Sequence, residues 1–112
     1  MAKGYLGDVC FNGKVLKNHI IYPDSNKSVE RIVPFECECE GVILCDDVLL
    51  VIDNKRCNTP QIVATLLEDY RCAKSYAEFF NSSSYRQYGA TKTDGATFIE
   101  LGDVKPLWKD II

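Results

Sequence analysis

The chain has 112 residues, 46% of them hydrophobic and 26% charged, with a formal net charge of −3. That length holds one domain with one core, and that balance excludes a disordered polypeptide. The mild charge, without a basic block, disfavours nucleic acid, whose phosphates need clustered Lys and Arg. No apolar run approaches the roughly 20 residues of a membrane helix.

The first eight residues, MAKGYLGD, lack the apolar stretch of a signal peptide, so the expected location is the cytoplasm. Tyr5 to Phe11 reads as a first strand. Asn12-Gly13 follows at once, and this pair readily takes the positive φ angles of a two-residue hairpin turn. Val15-Leu16 starts the return strand, which His19 to Tyr22 continues or follows. Pro23 to Lys27 is a loop of turn formers, and Val29 to Val33 is the next strand.

Phe35 to Glu40 alternates strictly, placing Phe35, Cys37 and Cys39 on one face and three glutamates on the other. Pro34 lacks an amide hydrogen and belongs on a sheet edge or at a bulge. Gly41 permits a bend before Val42 to Cys45, and Asp46-Asp47 is a turn. Val48 to Ile52 is continuously apolar, which suits a strand covered on both faces. Up to Asn54 the pattern is a β-meander.

The character changes at Thr59-Pro60, an N-cap with proline at the first helical position. Ile62, Leu66, Tyr70, Ala73, Ala77 and Phe80 recur at helical spacing, with Val63 and Leu67 widening the stripe. One amphipathic helix over 60–80 is therefore predicted, lying on the sheet and ended by the serine run at 82–84. Tyr85 to Thr93 is a loop or a short strand. Thr93-Asp94-Gly95 is a turn, Ala96 to Leu101 a strand, and the tail to Ile112 packs rather than dangles.

The stretch VCFNGKVLKNHIIYPDSNKSVERIVPFECECEGVILCDDVLLVIDNKRCNTP resembles the opening of amidohydrolase-superfamily enzymes of the cytosine deaminase, guanine deaminase and dihydroorotase type. Those chains begin with a small β-sandwich, the composite domain, which strands returning after a (β/α)₈ barrel complete. Asn12-Gly13 matches the hairpin, Asp24 to Pro34 the strand pair, and Cys45 to Asn54 the run into the barrel. Gly95 to Val104 (GATFIELGDV) would be the return. The family's Pro-Gly and its metal-binding His-x-His are missing, with Lys55-Arg56-Cys57-Asn58 in the latter's place. A barrel of about 250 residues cannot fit between Asn54 and Gly95. The resemblance implies a relative that kept the sandwich and lost the catalytic domain.

Candidate chemistry is sparse. The single histidine, His19, falls short of the ligand set of a hydrolase metal centre, and nothing selects a thiol partner for it. The six cysteines, at positions 10, 37, 39, 45, 57 and 72, include no CxxC pair, and packing as core thiols is expected. Cys37, Cys39 and Cys45 are the metal-ligand candidates, although CxC on a straight strand is a poor clamp and the interleaved glutamates oppose thiolate formation. Asp46, Asp47 and Asp53 could serve a divalent cation, or simply shape turns. No phosphate-loop or nucleophile-elbow motif is present.

The expected fold is α+β: one domain over 1–112, mainly an antiparallel β-sandwich or curled sheet of about seven strands, with one helix packed on it. It comprises a meander at 5–54, the helix at 60–80 and returning strands at 85–112. The expected function is a non-catalytic structural or protein-interaction module with no catalytic residue and no cofactor. Its partner is a second copy or another protein, met at an edge strand near Pro34 or on the helix face. The alternatives are a small-ligand or metal-binding module using the Cys37/Cys39 cluster, and a thiol-dependent enzyme.

Overall fold

The structure, a computed structural model, describes residues 4–25, 28–36, 41–45, 48–56 and 59–101. Within them are six strands, β1 (Gly4–Phe11), β2 (Lys14–Pro23), β3 (Val29–Pro34), β4 (Val42–Leu44), β5 (Leu49–Asp53) and β6 (Ala96–Glu100). Three helices, α1 (Pro60–Cys72), α2 (Tyr76–Phe80) and α3 (Ser83–Tyr88), lie between β5 and β6. The fold is α+β.

The first hairpin forms as its turn residues dictate. Asn12 and Gly13 adopt φ of 54° and 72°, and Phe11 pairs with Lys14 across them. β3 then pairs antiparallel with β2, so Pro34 lies on an edge strand, where its missing amide costs nothing.

Beyond that point the meander expectation fails. The sheet order is β3-β2-β1-β5-β6, with β4 also against β1, and both β4 and β5 run parallel to β1. The physical reason lies in β5. Its residues Leu49 to Ile52 are all buried, which demands a central position covered on both faces, and the place next to β1 provides it. The register against β1 advances by two residues between β4 and β5. The expected turn at Asp46-Asp47 lies outside the described residues.

In place of a two-sheet sandwich, the described strands make one mixed sheet whose edge strands β3 and β6 approach each other, so the sheet curls. Val9, Ile21, Val29, Leu49 and Val51 fill the inside of the curl, with the Phe98 ring tilted against Tyr5 at a centroid distance of 5.2 Å. Cys10, Leu50 and Ile52 face the other way and pack on the helices.

The helical region also departs from expectation, being three helices rather than one. Thr59 caps α1 as its sequence implies, accepting from the Ile62 amide, with Pro60 in the first turn. Leu66 and Tyr70 are fully buried against the sheet, the apolar Leu66 side chain contributing on the order of 1.5–3 kcal/mol. The chain then turns extended at Ala73, and the Ser75 hydroxyl accepts from the Glu78 amide to start α2. This restart shifts the helical phase: Phe79 is buried where the stripe pointed to Ala77 and Phe80, and Ala77 is exposed. Ser-x-x-Glu at Ser75–Glu78 was the visible capping signal for that break. Ser82 caps α3 in the same way through the Tyr85 amide, so part of 85–93 is helix rather than loop or strand.

Tyr85 locks the layers together. Its ring centroid lies 5.2 Å from Phe79 and 4.8 Å from Phe80, and its hydroxyl accepts from the Gly13 amide at 2.9 Å. β6 closes the sheet against β5, pairing Leu49 with Glu100 and Asp53 with Ala96. Among the described residues no helix is long and apolar enough to cross a membrane.

Candidate functional site

A concavity opens beyond the C-terminal end of β5. A cleft of about 190 Å³ is bounded by Asp53 and Arg56 on one side, by Arg86 and Gly89 at the end of α3, and by Lys92 and Asp94 on the other. It continues into an adjoining hollow that adds Lys55. Backbone bonds fix its walls. Ala90 N donates to Val51 O at 3.2 Å, Asn54 N to Gly95 O at 3.0 Å, and Ala96 N to Thr93 O at 3.1 Å.

Asp53 is largely occupied. Its Oδ1 accepts from the Lys55 amide at 2.9 Å and the Arg56 amide at 3.4 Å, which tightens the turn after β5. Its Oδ2 lies 4.0 Å from Arg56 Nε. Arg56 also reaches across the cleft, donating from Nη1 to the Gln87 carbonyl at 3.5 Å. Among the described residues the ion pairs are Arg56–Asp53 and Arg71–Glu68, and neither Arg86 nor Lys92 lies within ion-pair distance of a carboxylate. No local pattern joins Arg56, Arg86 and Lys92 in the sequence, and only the return of the chain beside β5 assembles them.

The sulfur and carboxylate candidates fare differently. Cys37, Cys39, Cys57, Asp46 and Asp47 lie outside the described residues. Cys45 follows β4, with Sγ 3.9 Å from the Ile43 carbonyl and 3.8 Å from Glu100 Oε1. Among the described residues no cluster of three or more His, Cys, Asp or Glu could hold a metal ion. Cys10 is buried in the helix-packed core, as expected of a packing thiol. Cys72 is exposed, and its Sγ donates to Glu68 Oε1 at 3.4 Å. That bond holds the thiol protonated and raises its pKa, which opposes nucleophilic use. His19 sits on β2, its Nδ1 2.9 Å from the Lys17 carbonyl.

No protein-family model, curated protein or solved structure matches the chain. The chemistry therefore rests on geometry. A second groove, between α1 and α3, contains a buried serine, Ser84, whose hydroxyl donates to Asp69 Oδ2 at 2.5 Å. This bond ties α3 to α1, and the serine's proton is committed to a carboxylate rather than to an imidazole base.

The tyrosines of the helical layer give the fold a pH dependence. Burial pushes the Tyr76 hydroxyl up to about 12 and also raises Tyr85. The unfolded chain ionises these groups near pH 10, whereas the native state keeps them neutral. The contribution of Tyr76 is therefore whole below about pH 10 and is lost as the pH climbs towards about 12. Thermal melts at about pH 8 and about pH 11 should show a smaller drop for Tyr76→Phe than for the wild type. Equal drops would remove Tyr76 from the account.

Proposed function

We propose that this chain is a non-catalytic, cytoplasmic interaction module that self-associates through the part of its sheet beyond the helices. The observation that carries this reading is a row of apolar side chains across four strands. Leu44 pairs with Leu6, Leu6 with Ile20 and Ile20 with Val33, and directly opposed residues share a face. Leu6 has the same parity as Cys10, so the row lies on the helix-bearing face, yet none of its members belongs to the helix-packed cluster.

Leu44 is 70% exposed, and Leu6 and Val33 are half-buried. Ile20 is held down where β1 has no side chain: a Cβ on Gly4 would stand 2.6 Å from it and 2.8 Å from Tyr22. Phe35, also exposed, extends apolar surface beside the row, whereas Ile43, opposite Tyr5, faces the other side of the sheet. A second copy is the occupant of choice, because a face of this kind is self-complementary about a two-fold axis and the net charge of −3 opposes it only weakly.

The barrel-less amidohydrolase relationship belongs to the same proposal. What supports it is that β6, from the stretch expected to return after a barrel, pairs with β5 in the sheet formed by the first half. A domain deprived of its barrel leaves surface to be covered, and dimerisation covers it.

Light scattering at high micromolar concentration should give about twice the 12.6 kDa chain mass. Leu44→Glu should return the protein to one chain mass, and its melting temperature should match that of the wild type at dilutions where both are monomers, because a charge at so exposed a position costs the fold little. A wild-type monomer, its apolar row then covered within the chain, would overturn the proposal.

A further inference from the structure

We propose that the cleft beyond β5 is a binding site for a small tetrahedral oxyanion, either free inorganic phosphate or the head of a small phosphomonoester. The two joined hollows are lined by four cations, Lys55, Arg56, Arg86 and Lys92, against two carboxylates, Asp53 and Asp94. Locally this is an excess of positive charge in a chain whose total is −3. A concave surface with a net excess of one sign concentrates the opposite ion.

The balance is tilted further by what one of the carboxylates already does. Asp53 spends its lone pairs on two backbone amides and on Arg56, whereas among the described residues no carboxylate lies within ion-pair distance of Arg86 or Lys92. Guanidinium groups suit such a ligand because their planar forks match tetrahedral oxyanions two bonds at a time. Arg56 comes from the turn after β5, Arg86 from α3 and Lys92 from the connector to β6, so the cations approach from three directions.

The inner cleft, about 190 Å³, admits a phosphate group, and the rest of a phosphomonoester would extend into the outer hollow beside Lys55 and Asp94. The site stands at the C-terminal end of β5, whereas the apolar row lies beside β4 at the start of β1, so the site does not depend on the self-association proposed above.

The test is a titration of the isotope-labelled full chain with inorganic phosphate and with glycerol phosphate, followed by amide spectra, against sodium chloride at matched ionic strength. The amides of Arg56, Arg86, Gly89, Lys92 and Gly95 should shift saturably, with a Kd at or below about 1 mM for at least one of the two. Tighter binding of glycerol phosphate would identify a phosphomonoester, and equal binding the free ion. Arg86→Gln and Lys92→Gln should each weaken binding about tenfold or more, while Lys74→Gln, on the chain between α1 and α2, should leave it unchanged. Linear shifts indistinguishable from those with chloride, or undiminished binding in Arg86→Gln with native-like spectra, would overturn the proposal.

Discussion

Phe79→Ala is expected to cost about 3–5 kcal/mol, a large part of the 5–15 kcal/mol that holds a typical domain folded. Phe79 has no exposed surface, and it lies edge-on to Tyr70, with ring centroids 5.2 Å apart at 77°. Tyr85 contacts another side of it at 5.2 Å and Phe80 a third at 5.8 Å. Truncation removes the ring from among three aromatic neighbours that cannot collapse together, because α1, α2 and α3 each anchor one or more of them. The loss therefore includes a cavity as well as the transfer of the ring. Urea denaturation should show the midpoint lowered with the slope retained. Phe80→Ala, at a partly buried position, should cost clearly less. The reverse order would place the interruption at Ala73 and Ser75 wrongly, since an unbroken helix would put Phe80 on the buried stripe.

Gly89→Ala is expected to destabilise by about 1–3 kcal/mol, although Gly89 occupies an ordinary region of backbone space, with φ of −67°. The reason is steric. A Cβ there would stand 2.7 Å from the Tyr85 carbonyl oxygen and 2.9 Å from its ring. The ring cannot retreat without disturbing Phe79 and Phe80, and the carbonyl accepts the Gly89 amide at 2.8 Å. Displacing Tyr85 also withdraws its hydroxyl from the Gly13 amide. The substitution should therefore show itself far away in sequence, as faster hydrogen exchange at Gly13 in the first hairpin. Wild-type stability with Gly13 equally protected would mean that the close approach is relieved without moving Tyr85.

These two positions mark where sequence reading stops. Asn12-Gly13, Thr59-Pro60 and the apolar run at 48–52 were legible because each states its conformation locally: positive φ, an N-cap, burial on both faces. The capping signal at Ser75–Glu78 was equally local and was outweighed by the longer periodicity around it. For Gly89, by contrast, the constraint is a ring and a carbonyl packed against it in three dimensions, and the residue type alone does not announce it.

The same division applies to the candidate sites. Alternation and turn chemistry determined, from the chain alone, a mixed α and β composition, a first hairpin, an edge or bulge position for Pro34 and a strand at 96–101, which the structure places on the sheet edge and over Ala96–Glu100. Tertiary structure decided that β4 and β5 run parallel to β1, that the helical segment breaks twice, and that Arg56, Arg86 and Lys92 share one cleft. Periodicity reports which face of an element is buried, but it carries no information about which element covers it. That choice depends on closing the curled sheet and burying the aromatic rings together, a condition met by the whole chain and written in no single stretch of it.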